Sequence, residues 1–375
     1  MDISIIVIAV IVTALAFDFT NGFHDTANAM ATSIATKALK PRVAVIIAGA
    51  LNLVGAFLSV AVAKTISSGL VDETKITPTV IFAGLVGAIL WNLVTWLLGL
   101  PSSSSHALFG GLIGATWVAA GADAVKFAGV IGKVLLPAIL SPIIAGLIAL
   151  VATFLAYRIT TRGVDGAVKQ GFKAGQIVSA SMVALAHGTN DAQKTMGVIT
   201  LTLITAGALP ADAGPPFWVI LSSGLAIALG TYTGGWRIIQ TLGKRVSDIQ
   251  TPQGFAAETS SASVILVSSH LGFPLSTTQV CTGSIFGAGA GRRLASVQWS
   301  VAGRIAIAWL FTMPAAAAVG AVAAWVASTG TLGTIIVGLV LIGLAAGIYV
   351  LSRRRPVTAD NVNDVPAPQP AGAAA

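Results

Sequence analysis

Long apolar stretches alternate along this chain with short polar connections. Runs that approach or exceed the roughly 20 residues needed to cross a bilayer as a helix occupy residues 3–17, 43–62, 79–100, 127–157, 217–233, 299–327 and 332–351. Two further regions are apolar but interrupted: 177–205, broken by a polar stretch, and 262–290. No part shows the short alternating segments of a membrane barrel. The pattern predicts an all-α polytopic membrane protein.

The connections carry an orientation signal. Basic residues cluster at Lys37/Lys40/Arg42, Arg158/Arg162/Lys169/Lys173, Lys244/Arg245, Arg292/Arg293 and Arg353/Arg354/Arg355. The excess of Lys and Arg on cytoplasmic loops assigns all five to the inside, with Lys126 and Lys133 as minor violations. Loops 66–78 and 206–216 then fall outside, with the N-terminus outside and the C-terminus cytoplasmic.

Within the apolar frame, four polar motifs form two pairs. Gly22-Phe23-His24-Asp25 aligns with Gly188-Thr189-Asn190-Asp191, and Met30 with Met196. Pro101-Ser102-Ser103-Ser104-Ser105-His106 aligns with Pro274-Leu275-Ser276-Thr277-Thr278-Gln279, followed by Gly110/Gly114 and Gly283/Gly287. The offset is 166 residues at the first pair and 173 at the second. With the loop assignment above, an odd number of crossings separates the copies, so they point in opposite directions. The expectation is an inverted-topology repeat with interrupted helices, an arrangement common among secondary transporters, and two units bent at Pro101 and Pro274; two re-entrant helical hairpins satisfy the count of crossings, and so do pairs of full spans. Residues 1–157 form the first repeat, 158–174 a cytoplasmic basic linker and 175–328 the second repeat. A final transmembrane helix at 329–352 and a disordered cytoplasmic tail at 353–375 complete the organisation.

Composition narrows the function classes. The chain is 375 residues, 55% hydrophobic and 9% charged, with mean hydropathy +0.89. Its net charge of +8 sits in short loops, which reports orientation rather than nucleic-acid binding. One cysteine, Cys281, excludes an intrachain disulfide framework. Asp2 without a basic stretch before the first apolar run argues against a signal peptide.

The motifs carry the chemistry. A charged side chain at bilayer depth costs about 2.5–3.5 kcal/mol on insertion scales, so Asp25 and Asp191 are expected to face a protein interior or a wet cavity. Asn28 and Lys194 each stand three residues after their aspartate, on the same helix face. The Ser and Thr residues after each proline are good helix N-caps, and a helix start with free N–H groups binds anions such as phosphate. Hydroxyls, amides and helix N-termini suit a tetrahedral oxyanion. The carboxylates would repel it unless a proton, Na⁺ or a divalent metal joined them, and such co-binding is coupling. His24, His106, His187 and His270 lie near the motifs, and Glu258 lies in an apolar arm of the second hairpin.

These motifs resemble those of the inorganic phosphate transporter (PiT) family, in the same order and over nearly the whole chain to about residue 352. The resemblance implies a secondary active transporter that carries phosphate with a cation by alternating access, and no enzyme or resident cofactor. It implies phosphate binding at Asn28, Ser103, Ser104, Ser105, Asn190, Lys194, Ser276, Thr277 and Thr278. Coupling to a cation or proton falls to Asp25, Asp191, His24, Gln193 and Glu258, with Asp25 and Asp191 as metal ligands if a metal–phosphate complex is carried. Two departures, Phe23-His24-Asp25 and Asp191-Ala192-Gln193-Lys194, are similar to the bacterial low-affinity branch. That branch implies import by proton symport, with phosphate as a neutral metal complex, in a bacterial cell membrane, and the family likeness implies a homodimer. Sodium coupling, or carriage of sulfate, stands as the alternative. A membrane enzyme using Ser105, His106 and Asp25 is disfavoured, because the second copy has Gln279 where a base would stand.

Overall fold

The computed structural model of the chain describes residues 4–160, 165–246, 249–292 and 297–364. Arg162 and Arg293 of the expected basic clusters, and the tail beyond Asp364, lie outside these residues. Among the described residues there is no β-sheet, and one isolated bridge joins Val71 to Val125.

The first half runs α1 (Ile5–Ala35), α2 (Pro41–Gly55), α3 (Ala61–Gly69), a hairpin of α4 (Pro78–Leu98) and α5 (Ser104–Ala120), then short α6 (Phe127–Val130), which passes through a π-helical turn into α7 (Leu136–Thr160). The second half runs α8 (Asp165–Thr205), α9 (Phe217–Thr233), α10 (Trp236–Gln240), a hairpin of α11 (Thr251–His270) and α12 (Thr277–Arg292), α13 (Trp299–Ala327) and α14 (Thr331–Ser352). Among the described residues, five continuous helical stretches are long and apolar enough to cross a membrane: α1, α4, residues 127–159, α13 and α14. A sixth is bent by 59° between α9 and the segment 236–245. Large apolar side chains point outward from α7, α13 and α14, Leu147, Leu310 and Leu339 among them, as a hydrocarbon solvent requires. The chain is a multi-pass membrane protein.

The halves pack crosswise. The motif helix α1 lies against α9 of the other half, and α8 lies against α2. Both contacts are backbone to backbone: a side chain at Gly22 would strike Ile227 and Thr231, and one at Gly188 would strike Asn52. The hairpins are shared in the same way. The first packs on α13, with Gly110 and Gly114 against Met313 and Ala317; the second packs on α7, with Gly283 and Gly287 against Pro142 and Gly146.

Three boundaries differ from the sequence reading. The apolar run 43–62 is not one helix: α2 stops at Gly55, whose bare backbone meets Leu185 and Thr189 of α8, and α3 starts where Gln193 Oε1 accepts the N–H groups of Val62 and Ala63, at 2.8 and 3.2 Å. The stretch expected as a linker is largely helical, since α7 continues to Thr160 and α8 already begins at Asp165. The tail was expected to be disordered from residue 353, but its described part docks on α10. Val362 is buried there, Arg237 donates to the Ser352 carbonyl at 2.8 Å and Gln240 to that of Asp364 at 3.1 Å.

The hairpins turn just before their prolines. Gly99 (φ +65°) and Gly272 (φ +75°) adopt the left-handed conformation that a Cβ disfavours. Leu100 N–H then returns to Thr95 O, and Phe273 N–H to Ser268 O, both at 2.9 Å, which closes the ends of α4 and α11. Pro101 and Pro274 keep the chain from re-entering a helix.

Candidate functional site

The two hairpin turns meet tip to tip between the motif helices. Ser105 Oγ donates to the Leu275 carbonyl at 3.1 Å, and the side chains of His106 and Gln279 pair at 3.3 Å. Ser103 and Ser276 are the caps of α5 and α12: their hydroxyls accept the N–H groups of His106 and Gln279, at 3.1 and 3.3 Å. Capping turns the next two residues of each helix toward the centre, and those residues meet the aspartates.

Asp25 Oδ2 accepts from Ser104 at 2.7 Å, and its Oδ1 accepts from Thr278 at 3.2 Å and lies 2.6 Å from His24 Nδ1. Asp191 Oδ1 lies 2.5 Å from Lys194 Nζ, and its Oδ2 accepts from Thr277 at 3.1 Å. Thr277 Oγ1 also stands 3.5 Å from Asp25 Oδ2, so one hydroxyl touches both carboxylates. Asn28 reaches the opposite hairpin, donating to Thr277 and Thr278 at 3.4 and 3.1 Å. Lys194 reaches the other one, donating to Ser105 at 2.5 Å. None of these side chains is more than 6% exposed.

Electrostatically the site is mixed. Two carboxylates and one ammonium share an enclosed volume with the positive ends of α5 and α12, whose first N–H groups have no intrahelical partner. Asp25, His187 and Asp191 each offer an atom that could ligate a metal, all within 4.8 Å of one another. His187 Nε2 lies 3.3 Å from Asp191 Oδ2, without the alignment of a hydrogen bond, and its Nδ1 is 3.1 Å from Asn52 Oδ1.

Some expected site residues stand elsewhere. Asn190 binds the arm of the second hairpin, donating to Ser269 at 2.8 Å and to the Phe273 carbonyl at 3.3 Å. His24 does the same on the first hairpin through Thr95 at 3.1 Å, while keeping its contact to Asp25. Gln193 faces α3 rather than the centre. Glu258 sits in a separate buried cluster, accepting from Thr32, from Ser179 at 2.5 Å and from Gln176 at 3.3 Å. Ser105, His106 and Asp25 do not assemble a triad: Ser104 is the serine on Asp25, and His106 pairs with Gln279.

Sequence reasoning missed Asn21, whose amide donates to Asp191 Oδ2 at 3.4 Å, and Ser102, which donates to Thr95 at 2.8 Å. Helical spacing could have found Asn21, which precedes Asp25 by four residues on the same face.

Comparison with known proteins gives this geometry its context. A model of the phosphate transporter family matches residues 21–320. A probable low-affinity inorganic phosphate transporter of Mycobacterium tuberculosis is 57% identical over 362 residues, covering 96% of this chain and 87% of that protein. A protein of the same description from Bacillus subtilis is 44% identical over 326 residues, covering 86% of this chain and 98% of the relative. A solved structure of a sodium-dependent phosphate transporter superimposes with a TM-score of 0.79 at 27% identity, over 87% of this chain and all of that one. The family and these relatives are transporters, not enzymes.

Proposed function

This chain belongs to the phosphate transporter family, and we propose that it imports inorganic phosphate by proton symport, the enclosed centre opening to one side of the membrane at a time. Phosphate would lie between the hairpin tips, taken up by Asn28, Ser104, Ser105, Thr277, Thr278 and Lys194. Ser103 and Ser276 hold the helix starts in place. The reading rests above all on Thr277, whose hydroxyl is within reach of both motif aspartates, 3.1 Å from one and 3.5 Å from the other. That convergence makes the two motifs and two turns one site.

Coupling follows from competition for donors. The hydroxyls of Ser104, Thr277 and Thr278 now serve carboxylates, and each hydroxyl has a single proton to donate. A proton on a carboxylate weakens it as an acceptor and frees those hydroxyls for phosphate oxygens. Proton and anion then raise each other's affinity. A divalent metal carried with phosphate would act likewise, on the atoms of Asp25, His187 and Asp191.

Sodium coupling is the second reading, favoured by the name of the superimposed structure. Against it, the Lys194 ammonium already supplies a positive charge 2.5 Å from Asp191. The deciding experiment is uptake of labelled phosphate into proteoliposomes. Accumulation under an inside-alkaline pH gradient without sodium is expected; uptake that needs sodium and ignores the pH gradient would overturn proton symport. Excess sulfate is expected to leave uptake unchanged.

A further inference from the structure

About two helical turns before Asp25 on α1 stands a third aspartate. Asp18 is fully buried, and neither of its carboxylate oxygens has a hydrogen-bond partner. Asn21 and Thr195 stand beside it. Asn21 Oδ1 and Thr195 Oγ1 are likewise without partners, and both residues are fully buried. The charged groups that face Asp18 are Asp191 and Lys194, both on α8. Lys194 is already engaged with Asp191 and Ser105, so its ammonium acts on the Asp18 carboxylate by charge alone and gives it no hydrogen bond.

The two Asp18 oxygens and Asn21 Oδ1 are three acceptors with one unengaged hydroxyl proton among them, that of Thr195, so the cluster is one donor short. Leaving a buried acceptor unmade costs about 1–3 kcal/mol, and more when it is charged. A single proton on Asp18 removes the deficit. The new O–H can donate to Asn21 Oδ1, and the Thr195 hydroxyl can donate to the remaining Asp18 oxygen, so all four atoms are partnered. It also removes a negative charge facing that of Asp191.

We propose that Asp18 is a proton-binding site of the transport cycle, set behind the Asp191–Lys194 pair and linked to it through Asn21. The amide of Asn21 donates to Asp191 Oδ2 while its oxygen is free for Asp18. Protonation of Asp18 therefore fixes the amide that helps hold Asp191, and loss of the proton releases it. The proton is taken from water on one side of the membrane as an O–H bond forms, and returns to water on the other as that bond breaks; no other covalent bond changes. The site belongs to one half alone, because the position 166 residues later is Ala184.

This inference rests on the proton-symport reading, and the experiment separates the two. Wild-type and Asp18→Asn proteins are compared in proteoliposomes by two measurements: phosphate accumulation under a pH gradient, and phosphate–phosphate exchange without one. Asparagine copies the size of the protonated acid but cannot take up a proton. The ratio of gradient-driven accumulation to exchange is expected to fall at least roughly tenfold in the variant, a change typical of a lost coupling. An unchanged ratio would overturn the role of Asp18 while leaving proton symport intact. A wild type that ignores the pH gradient would overturn both. Sodium-dependent accumulation that the variant abolishes would make Asp18 a sodium ligand and overturn the proton assignment. If exchange is lost as well, infrared spectra of the purified proteins decide: a protonated-carboxyl band absent from Asp18→Asn supports the site, and an unaltered band overturns it.

Discussion

The two motif helices carry the same aspartate and surround it differently. Asp25 is held by hydroxyls from both hairpins and by His24, with no lysine or arginine in contact among the described residues. Asp191 is locked to an ammonium by Lys194. The residues three positions on, Asn28 and Lys194, both reach a hairpin tip, Asn28 at Thr277/Thr278 and Lys194 at Ser105. Matched geometry with unmatched charge separates two tasks. In the proposed function, what the halves share would make the cradle, and what they do not share would decide which ion completes it. One carboxylate has an ammonium beside it and the other has a histidine and hydroxyls; under the proposed function the second is the one left for a mobile cation.

That contrast can be broken most directly at the aspartates. Asp25→Asn and Asp191→Asn are each expected to abolish uptake, but at unequal cost to the fold. Removing Asp191 leaves a buried ammonium without its carboxylate, a loss of about 3–5 kcal/mol. Removing the Asp25 charge weakens hydrogen bonds to a charged acceptor, about 1–3 kcal/mol. Unfolding in detergent measures the difference, and equal losses would mean that Lys194 does not distinguish the halves. The double variant Asp191→Asn/Lys194→Asn should regain most of the stability but none of the transport.

Lys194→Asn writes the first half's residue into the second. Uptake driven by a pH gradient is expected to fall at least roughly tenfold, the size of one lost coupling, and added sodium is expected to restore part of it. No recovery with sodium would show that the ammonium does not substitute for a metal cation. The smallest effect should come where the halves agree. Gly99→Ala and Gly272→Ala each force a Cβ into the left-handed region, at about 1–2 kcal/mol, so their unfolding midpoints should fall by similar amounts. Unequal shifts would show that the two turns are not under equal constraint.

Legibility in the sequence followed repetition. Asp25 and Asp191, and the hydroxyls at Ser104/Thr277 and Ser105/Thr278, stood out because each occurs twice in register. The hairpin turns were legible more sharply than proline alone suggests, since Gly99-Leu100-Pro101 and Gly272-Phe273-Pro274 repeat the glycine that makes the turn. Asp18 was hidden by the same criterion, having Ala184 as its counterpart. The contacts of Gln193 and Asn190 with α3 and the second hairpin were not legible, because a motif shows spacing along a helix but not which neighbour each face meets. Gln193 faces the break between α2 and α3, where its amide oxygen accepts the N–H groups of Val62 and Ala63. The docking of Val362 was out of reach for a similar reason: scattered valines in a tail of Pro, Asn, Asp and Ala have no periodicity to announce a pocket.

The crosswise packing bears on how the protein is made. Gly22 packs against α9, and the first hairpin, which also meets α1, takes its glycine contacts from α13. A ribosome that has finished α7 has therefore delivered helices whose partners are not yet synthesised. The bare glycine faces of α1 and α5 must wait in lipid until the later half arrives. Insertion is sequential, but assembly cannot be, and a chain cut between α7 and α8 should be rescued only when both pieces are expressed in the same membrane.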